Sequence, residues 1–137
     1  MIKLIEHNFH RNIPNKKGVY IIISVDENNV PININRLFNS DKNGFLYIGQ
    51  SSDLKNRLRM LYRVLHPEKY KATAHTFGLK YNKLPSEIKN KYPLDSLRVI
   101  LSLDGNAEDV ETKKLTEYFN KYGEVPPLNS SVNLKLR

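Results

Sequence analysis

The chain has 137 residues and a formal net charge of +8, with 22 Lys and Arg residues against 14 Asp and Glu residues. Its length fits one domain with one core, and the absence of cysteine excludes a disulfide framework, a thiolate zinc site and a cysteine nucleophile. The basic excess favours a polyanionic partner, because each neutralised phosphate releases condensed counterions.

The sequence contains no apolar run long enough to span a membrane, and its first residues, MIKLIEHNFHRN, lack the apolar region of a signal peptide. No predicted helix combines a strongly apolar face with a basic one, so we expect no membrane partner. These features predict a soluble, intracellular protein that is cytoplasmic and associates with the nucleoid when it acts.

Two apolar runs in the first part of the chain predict strands. Residues 18–25 (GVYIIISV) form a continuous run rich in β-branched residues, which is typical of a central strand. Residues 45–49 (FLYIG) predict a second strand that ends at Gly49, and we expect the two strands to pair antiparallel. In the connection between them, Pro31 allows at most an edge strand over residues 30–39.

Helices are predicted around a third strand in the rest of the chain. A stripe of leucines predicts a helix over 54–65, with candidate N-cap residues just before it. Four further segments follow: an active loop or irregular helix at 68–82, a short helix at 84–92, the third strand at 96–103 and a final helix at 107–122. The order β-β-α-α-β-α predicts an α+β fold with a small, three-stranded, mostly antiparallel sheet flanked by helices.

The sequence lacks the motifs of several enzyme classes. There is no Walker-type or dinucleotide glycine loop, no HExxH or GxSxG sequence and no zinc-type spacing of Cys and His. The polar residues that remain are dispersed, and their spacing alone does not assemble a site: Tyr20, Tyr47, Arg57, His75, Glu111 and Asn129.

Most of these residues lie in segments that resemble, in order and context, the motifs of the GIY-YIG nuclease superfamily. The segments are GVY (18–20), LYIG (46–49), DLKNRL (53–58), AEDVETKKL (107–115) and PPLN (126–129). A single motif of this kind would be a weak signal, whereas five in order form a specific one. The resemblance extends from about residue 13 to residue 129 and implies one nuclease-like domain over residues 1–137.

The resemblance implies a divalent-metal-dependent endonuclease that hydrolyses phosphodiester bonds in DNA. It implies that Glu111 holds one Mg²⁺ or Mn²⁺ ion, that Arg57 binds the scissile phosphate and that Asn129 braces the site. Tyr20 and Tyr47 would position or activate the attacking water, and which of them does so stays open. General chemistry agrees, because Mg²⁺ is usually held by carboxylates, phosphates and waters, and arginine can donate two N–H groups to one phosphate.

Many members of that superfamily carry a His or Tyr one turn after the arginine, where this chain has Leu61. The segment AHTFG (74–78) could supply the missing group, which makes His75 a candidate general base or phosphate ligand. Four basic residues are candidate nucleic-acid contacts, although a solvated face is a competing interpretation: Lys55, Arg59, Lys71 and Lys80.

Each candidate taken alone has an ordinary structural interpretation, such as a half-buried strand tyrosine or a charge on a helix surface. Their order and spacing together favour the nuclease. Two alternatives are a non-catalytic nucleic-acid-binding module on the same fold and an unrelated α+β interaction domain. A lone nuclease domain could also act as a homodimer or within a larger nuclease complex.

Overall fold

The central strand of the protein is β2 (Gly18–Ser24), and all seven of its residues are buried. A computed structural model describes residues 2–4, 6 and 8–130 of the chain. β2 pairs antiparallel with β5 (Phe45–Ser51) on one side and with β6 (Leu97–Ser102) on the other. Its continuous apolar run explains this position, since a strand covered on both faces has no solvent side for polar residues.

Among the described residues the sheet has four strands, and with β1 (Ile2–Lys3) at one edge their order is β1-β6-β2-β5. The strand beyond the three predicted, β1 (Ile2–Lys3), has two residues and pairs antiparallel with Val99 and Arg98 of β6. A strand this short leaves no alternating pattern in the sequence, so the prediction of three strands is wrong. The α+β class and the antiparallel pairing are confirmed.

The long connection between β2 and β5 folds into a small hairpin of its own. β3 (Ile34–Asn35) and β4 (Ser40–Asp41) form a separate two-stranded antiparallel sheet. The buried carboxylate of Asp41 fixes the turn that follows, because it accepts hydrogen bonds of 2.9–3.1 Å from the backbone N–H groups of residues 43–45. Two tyrosine hydroxyls of the last helix donate to the same carboxylate, which ties the connection to that helix.

In the described part of the chain four α-helices surround the sheet: α1 (Leu54–Leu65), α2 (Thr76–Asn82), α3 (Ser86–Lys91) and α4 (Ala107–Tyr122). The side chains of Asp53 and Asn106 cap α1 and α4 by accepting hydrogen bonds from backbone N–H groups of the first turn. α4 ends at Gly123, whose φ of 74° is the left-handed conformation that glycine adopts without strain. The segment predicted as an active loop or irregular helix forms the regular helix α2 over its second half.

Different helices cover the two faces of the sheet. α1 and α2 pack on one face, where Tyr20 and Ile22 of β2 join the larger apolar cluster. α4 packs on the other face, where its Leu115 meets Val19 and Ile21. Alternate residues of β2 therefore enter different clusters, as the two-residue period of a strand requires. No helix within residues 2–4, 6 and 8–130 is both long enough and apolar enough to cross a membrane.

Candidate active site

Tyr20 and Gly49 lie opposite each other across the pair formed by β2 and β5. Tyr20 is fully buried, and its ring fills the space into which a side chain at Gly49 would project. A Cβ there would lie 2.6 Å from Cζ and 2.7 Å from the hydroxyl oxygen of Tyr20. β5 continues through Gly49 to Ser51, so the prediction that this glycine ends the strand is wrong. Glycine is needed because the tyrosine ring lies directly over the backbone.

Tyr47 lies beside Tyr20 and contributes the second phenol of the cluster. Its ring centroid is 5.9 Å from that of Tyr20 and 5.6 Å from that of Phe77. Tyr47 is partly exposed, whereas Tyr20 is fully buried. Tyr47 is therefore the phenol of this pair that solvent can reach.

His75 connects the tyrosine pair to α2, which it immediately precedes. The residue is 1% exposed, and its Nε2 lies 2.8 Å from the hydroxyl oxygen of Tyr20. Its Nδ1 is buried and has no hydrogen-bond partner among the described residues. Burial, and then the positive charge of Arg57, lower the pKa of His75 to about 3. The imidazole is therefore neutral at neutral pH and can accept the hydrogen bond that the Tyr20 hydroxyl donates.

Arg57 of α1 points its guanidinium towards the same cluster. Its Nη1 donates a hydrogen bond of 2.7 Å to the backbone carbonyl of Ala74. Since Ala74 directly precedes His75, this bond holds the end of the loop that positions the imidazole. Burial raises the pKa of Tyr20 and of Tyr47, and the charge of Arg57 opposes this increase. A guanidinium has five N–H donors, so others remain for a phosphate.

Burial is the largest influence on both phenols, and it raises the pKa of each. The neighbouring Tyr47 raises the pKa of Tyr20 further, against the opposing charge of Arg57. At Tyr47, the charge of Arg57 lowers the pKa while the carboxylate of Glu111 raises it. Both phenols are therefore protonated at neutral pH and are better suited to orient a water than to take its proton unaided.

Glu111 lies on α4, which packs on the other face of the sheet, yet its charge raises the pKa of Tyr47. Its own pKa is raised by burial and then by the carboxylate of Glu108. Within the described residues Glu111 accepts no hydrogen bond and forms no ion pair. The same residues hold no group of three His, Cys, Asp or Glu side chains suited to a metal ion. A partly buried, unpaired carboxylate fits a divalent cation whose other ligands are waters and phosphate oxygens.

Asn129 makes two hydrogen bonds to one residue of β5. Its Oδ1 accepts from the backbone N–H of Ile48 at 2.9 Å, and its Nδ2 donates to the carbonyl of Ile48 at 2.8 Å. The backbone N–H of Leu128 donates to the carbonyl of Leu46 at 3.0 Å. The chain after α4 therefore covers the outer edge of β5 and fixes the strand on both sides of Tyr47.

The four basic residues predicted to contact nucleic acid do not form one group around the tyrosines. Lys80 donates hydrogen bonds to a carbonyl and a hydroxyl of the chain after α4, at 3.3 and 3.0 Å. Lys55 and Arg59 lie two residues before and two after Arg57, which places them roughly 200° around α1 from it. Lys71 is exposed in the loop between α1 and α2.

Two groups beside the tyrosines carry no sequence signal of a site. The ring of Phe77 packs against Tyr47, and the carbonyl of Ala74 accepts the bond from Arg57. An apolar ring such as that of Phe77 is typical of a hydrophobic core, and every residue has a backbone carbonyl. Residue type alone therefore indicates neither group as part of a site.

Chemically, the cluster combines a neutral imidazole, two protonated phenols and a guanidinium, and the unpaired carboxylate of Glu111 is near enough to raise the pKa of Tyr47. Such a set can bind an anion, orient a water and move a proton over a short path. Comparison of the chain with models of protein families, with curated protein sequences and with solved structures finds no match in any of the three.

Proposed function

We propose that the chain is a divalent-metal-dependent endonuclease that hydrolyses phosphodiester bonds in DNA. The observation that carries this proposal is the hydrogen bond between Tyr20 and His75 beside the guanidinium of Arg57. Hydrolysis of a phosphodiester needs a positioned water, a cation at the phosphate and a route for a proton, and the cluster contains a group for each need. The order of motifs that resembles the GIY-YIG superfamily supports the same activity.

Tyr47 is the phenol suited to contact the attacking water, because it is partly exposed. Behind it, the buried Tyr20 donates its hydrogen bond to His75. The water oxygen would attack phosphorus while the P–O bond to the leaving oxygen breaks. One water proton would move towards the phenols and the imidazole, and the leaving oxygen would take up a proton from solvent. Burial is the larger cause of the low pKa of His75, about 3, and the charge of Arg57 is the smaller one. A bound phosphate would offset the charge of Arg57 and so raise this pKa only part of the way.

Arg57 and Glu111 are the residues for the charged groups of the reaction. The guanidinium would donate to non-bridging phosphate oxygens, where negative charge accumulates. Glu111 would hold the Mg²⁺ or Mn²⁺ ion, which supplies charge neutralisation at the phosphate when bound. Asn129 acts through the backbone of Ile48 and is a positioning residue for Tyr47.

The proposal is tested by incubating the protein with labelled plasmid, linear duplex and branched DNA in the presence of Mg²⁺ or Mn²⁺. We expect cutting by the wild type, and its loss in Arg57→Ala and Glu111→Ala with DNA binding retained. Glu117→Ala is the matched control, because it removes an exposed carboxylate from the same helix as Glu111. Cutting by Arg57→Ala or Glu111→Ala at the wild-type rate would contradict these roles.

A second candidate is a non-catalytic nucleic-acid-binding module. The observation that favours it is the complete burial of Tyr20 and the near-complete burial of His75, which keeps both away from solvent. A well-folded wild type that binds these DNAs and cuts none of them with either metal would establish this candidate instead of the nuclease.

A further inference from the structure

A cavity of ≈ 380 Å³ opens beside α1 and is lined by His10, Arg59, Tyr62, Arg63 and Tyr70. Three separate parts of the chain form it: the turn before β2, the helix itself and the loop that follows the helix. Neither Tyr20, Tyr47 nor the other groups of the candidate active site line it. Its arginines lie roughly 200° and 240° around α1 from Arg57, so the cavity is on the opposite side of this helix.

Within the part of the chain that the structure describes, no carboxylate pairs with the cationic donors of the cavity. Arg59 and Arg63 form no ion pair within the described residues, and no carboxylate lines the cavity. The Nε of Arg59 is buried without a hydrogen-bond partner among those residues. A buried donor without an acceptor is unfavourable, and a ligand that brings acceptor oxygens would relieve this. The chemistry of the cavity therefore favours an anion.

Aromatic rings form the rest of the wall. The guanidinium of Arg63 lies 5.7 Å from the ring centroid of Tyr70, and the rings of Tyr62 and Tyr70 are 6.3 Å apart at 65°. The ring of His66 stacks on that of Tyr62, with 4.1 Å between the two centroids. Tyr70 is only partly buried. A planar group can stack on tyrosine or arginine surfaces of this kind.

A concave site with both arginine and tyrosine suits a ligand that joins an anion to an aromatic plane. A nucleotide has this composition, and proteins that bind single strands combine basic grooves with aromatic stacking surfaces. The volume of ≈ 380 Å³ lies within the range of about 300–1,000 Å³ that is usual for small-ligand pockets.

We propose that this cavity binds one nucleotide of an unpaired nucleic-acid strand, with the phosphate on Arg59 and Arg63 and the base against Tyr70. The strand must be unpaired there, because the faces of bases inside a duplex are already stacked. α1, which is about 10–12 Å wide, lies between the cavity and Arg57. A strand that reaches both must pass around the helix and therefore spans more than about three nucleotides at a stacked spacing of about 3.4 Å. As a substrate subsite it rests on the proposed function, and it then selects DNA with an unpaired segment near the cut.

Binding is measured in EDTA, so that it is independent of cleavage, with a short single-stranded oligodeoxynucleotide that carries a fluorescent base analogue. Stacking on Tyr70 should quench the analogue. We expect Tyr70→Ala to weaken binding by about 10-fold, whereas Tyr70→Phe, which keeps the ring, should bind as the wild type does. Unchanged affinity and quenching in Tyr70→Ala would overturn the proposal.

The contribution of the positive charge in the cavity is tested with Arg63→Gln, and Lys121→Gln is the matched control. Lys121 also lies over a tyrosine ring, at 5.4 Å from the centroid of Tyr122, so both changes remove one positive charge from such a pair. We expect Arg63→Gln to weaken binding and to reduce its dependence on salt, and Lys121→Gln to leave the quenching unchanged. Equal effects of the two variants would mean general charge attraction and would overturn the site.

A competition experiment distinguishes a nucleotide within a strand from a free nucleotide as the ligand of the cavity. Inorganic phosphate and a nucleoside monophosphate are added against the bound oligonucleotide, and both are expected to compete weakly. Competition by the monophosphate at the affinity of the oligonucleotide would assign the cavity to free nucleotides and overturn the unpaired-strand proposal. A wild type that cuts no DNA but shows Tyr70-dependent binding would overturn the nuclease and leave this site standing.

Discussion

The hydroxyl oxygen of Tyr20 lies 2.8 Å from Nε2 of His75, although 55 residues separate the two in the chain. Both side chains are buried, so the bond satisfies two polar groups that would otherwise be unpaired in the interior. It joins the central strand to the beginning of α2. The part of the candidate active site around Tyr20 and His75 is therefore a product of tertiary packing between the sheet and the layer of α1 and α2, whereas Glu111 comes from α4 on the other face.

The low pKa of His75 predicts that the fold is sensitive to acid. The unfolded chain protonates this side chain below a pH of about 6.5, whereas the folded protein does so only near pH 3. Because the unfolded state binds more protons between these values, the free energy of unfolding falls as the pH is lowered through that window. Tyr20 and Tyr47, which face the imidazole, stay protonated throughout it.

Urea denaturation between about pH 7 and pH 5 checks this linkage. His75→Gln removes the titrating group and should flatten the decline, while Gln50→Ala, which changes no titrating group, should keep the wild-type slope. Identical slopes in the wild type and His75→Gln would show that burial of His75 does not control the acid response.

Gly49→Ala should destabilise the protein. The added methyl group would meet Tyr20 at 2.6 Å and Tyr47 at 2.7 Å, so the two rings would have to move. We expect a loss of about 1–3 kcal/mol in the free energy of unfolding, measured by urea denaturation. Gln50→Ala, at the next position of β5, is the control and should cost less. A fully stable Gly49→Ala would mean that the rings are free to shift.

Asn129→Ala should loosen the edge of β5. It removes both hydrogen bonds to the backbone of Ile48, and we expect a loss of about 1–2 kcal/mol in the free energy of unfolding. Asn120→Ala changes an exposed position of α4 and should show no such loss. On the proposed function Asn129→Ala also slows cutting without removing a group that touches DNA, and unchanged cutting would argue against the positioning role.

Metal binding by Glu111 is testable without a substrate. A ligand that binds only the folded state raises the apparent stability by mass action, so Mg²⁺ or Mn²⁺ should raise the melting temperature of the wild type. Glu111→Gln should remove this increase, since an amide is a weaker ligand for these ions. Glu117→Gln, which changes an exposed carboxylate of the same helix, should keep it. Equal responses of the two variants would place the ion elsewhere.

Strong local patterns made the main elements of the fold predictable. The buried run of β2, the leucines and Asp53 cap of α1, and Gly123 at the end of α4 each carry a distinct signal. β1, β3 and β4 have two residues each, and pairs so short are set by tertiary contacts. Glycine usually weakens a strand, and for this reason the sequence predicts a strand end at Gly49. In the structure Gly49 makes room for the ring of Tyr20 on the neighbouring strand.

The candidate site residues could be proposed from the sequence only through the resemblance in motif order. Residue spacing contains no information on which of Tyr20 and Tyr47 is exposed, or on which partner His75 takes, because both depend on how α2 packs. The structure supplies these relationships. It also separates Arg59 from Arg57, a separation that the helical period already implies but that the shared basic character of the two residues obscures.

The hydrogen bond from Arg57 to the carbonyl of Ala74 has a consequence for substrate binding. Through this bond the guanidinium of Arg57 holds the loop before His75, and on the proposed function the same guanidinium also binds the phosphate. Any rotation of Arg57 towards DNA would lengthen its hydrogen bond to Ala74 and release the loop that positions His75. Phosphate occupancy and the placement of His75 would then be thermodynamically linked through a single side chain.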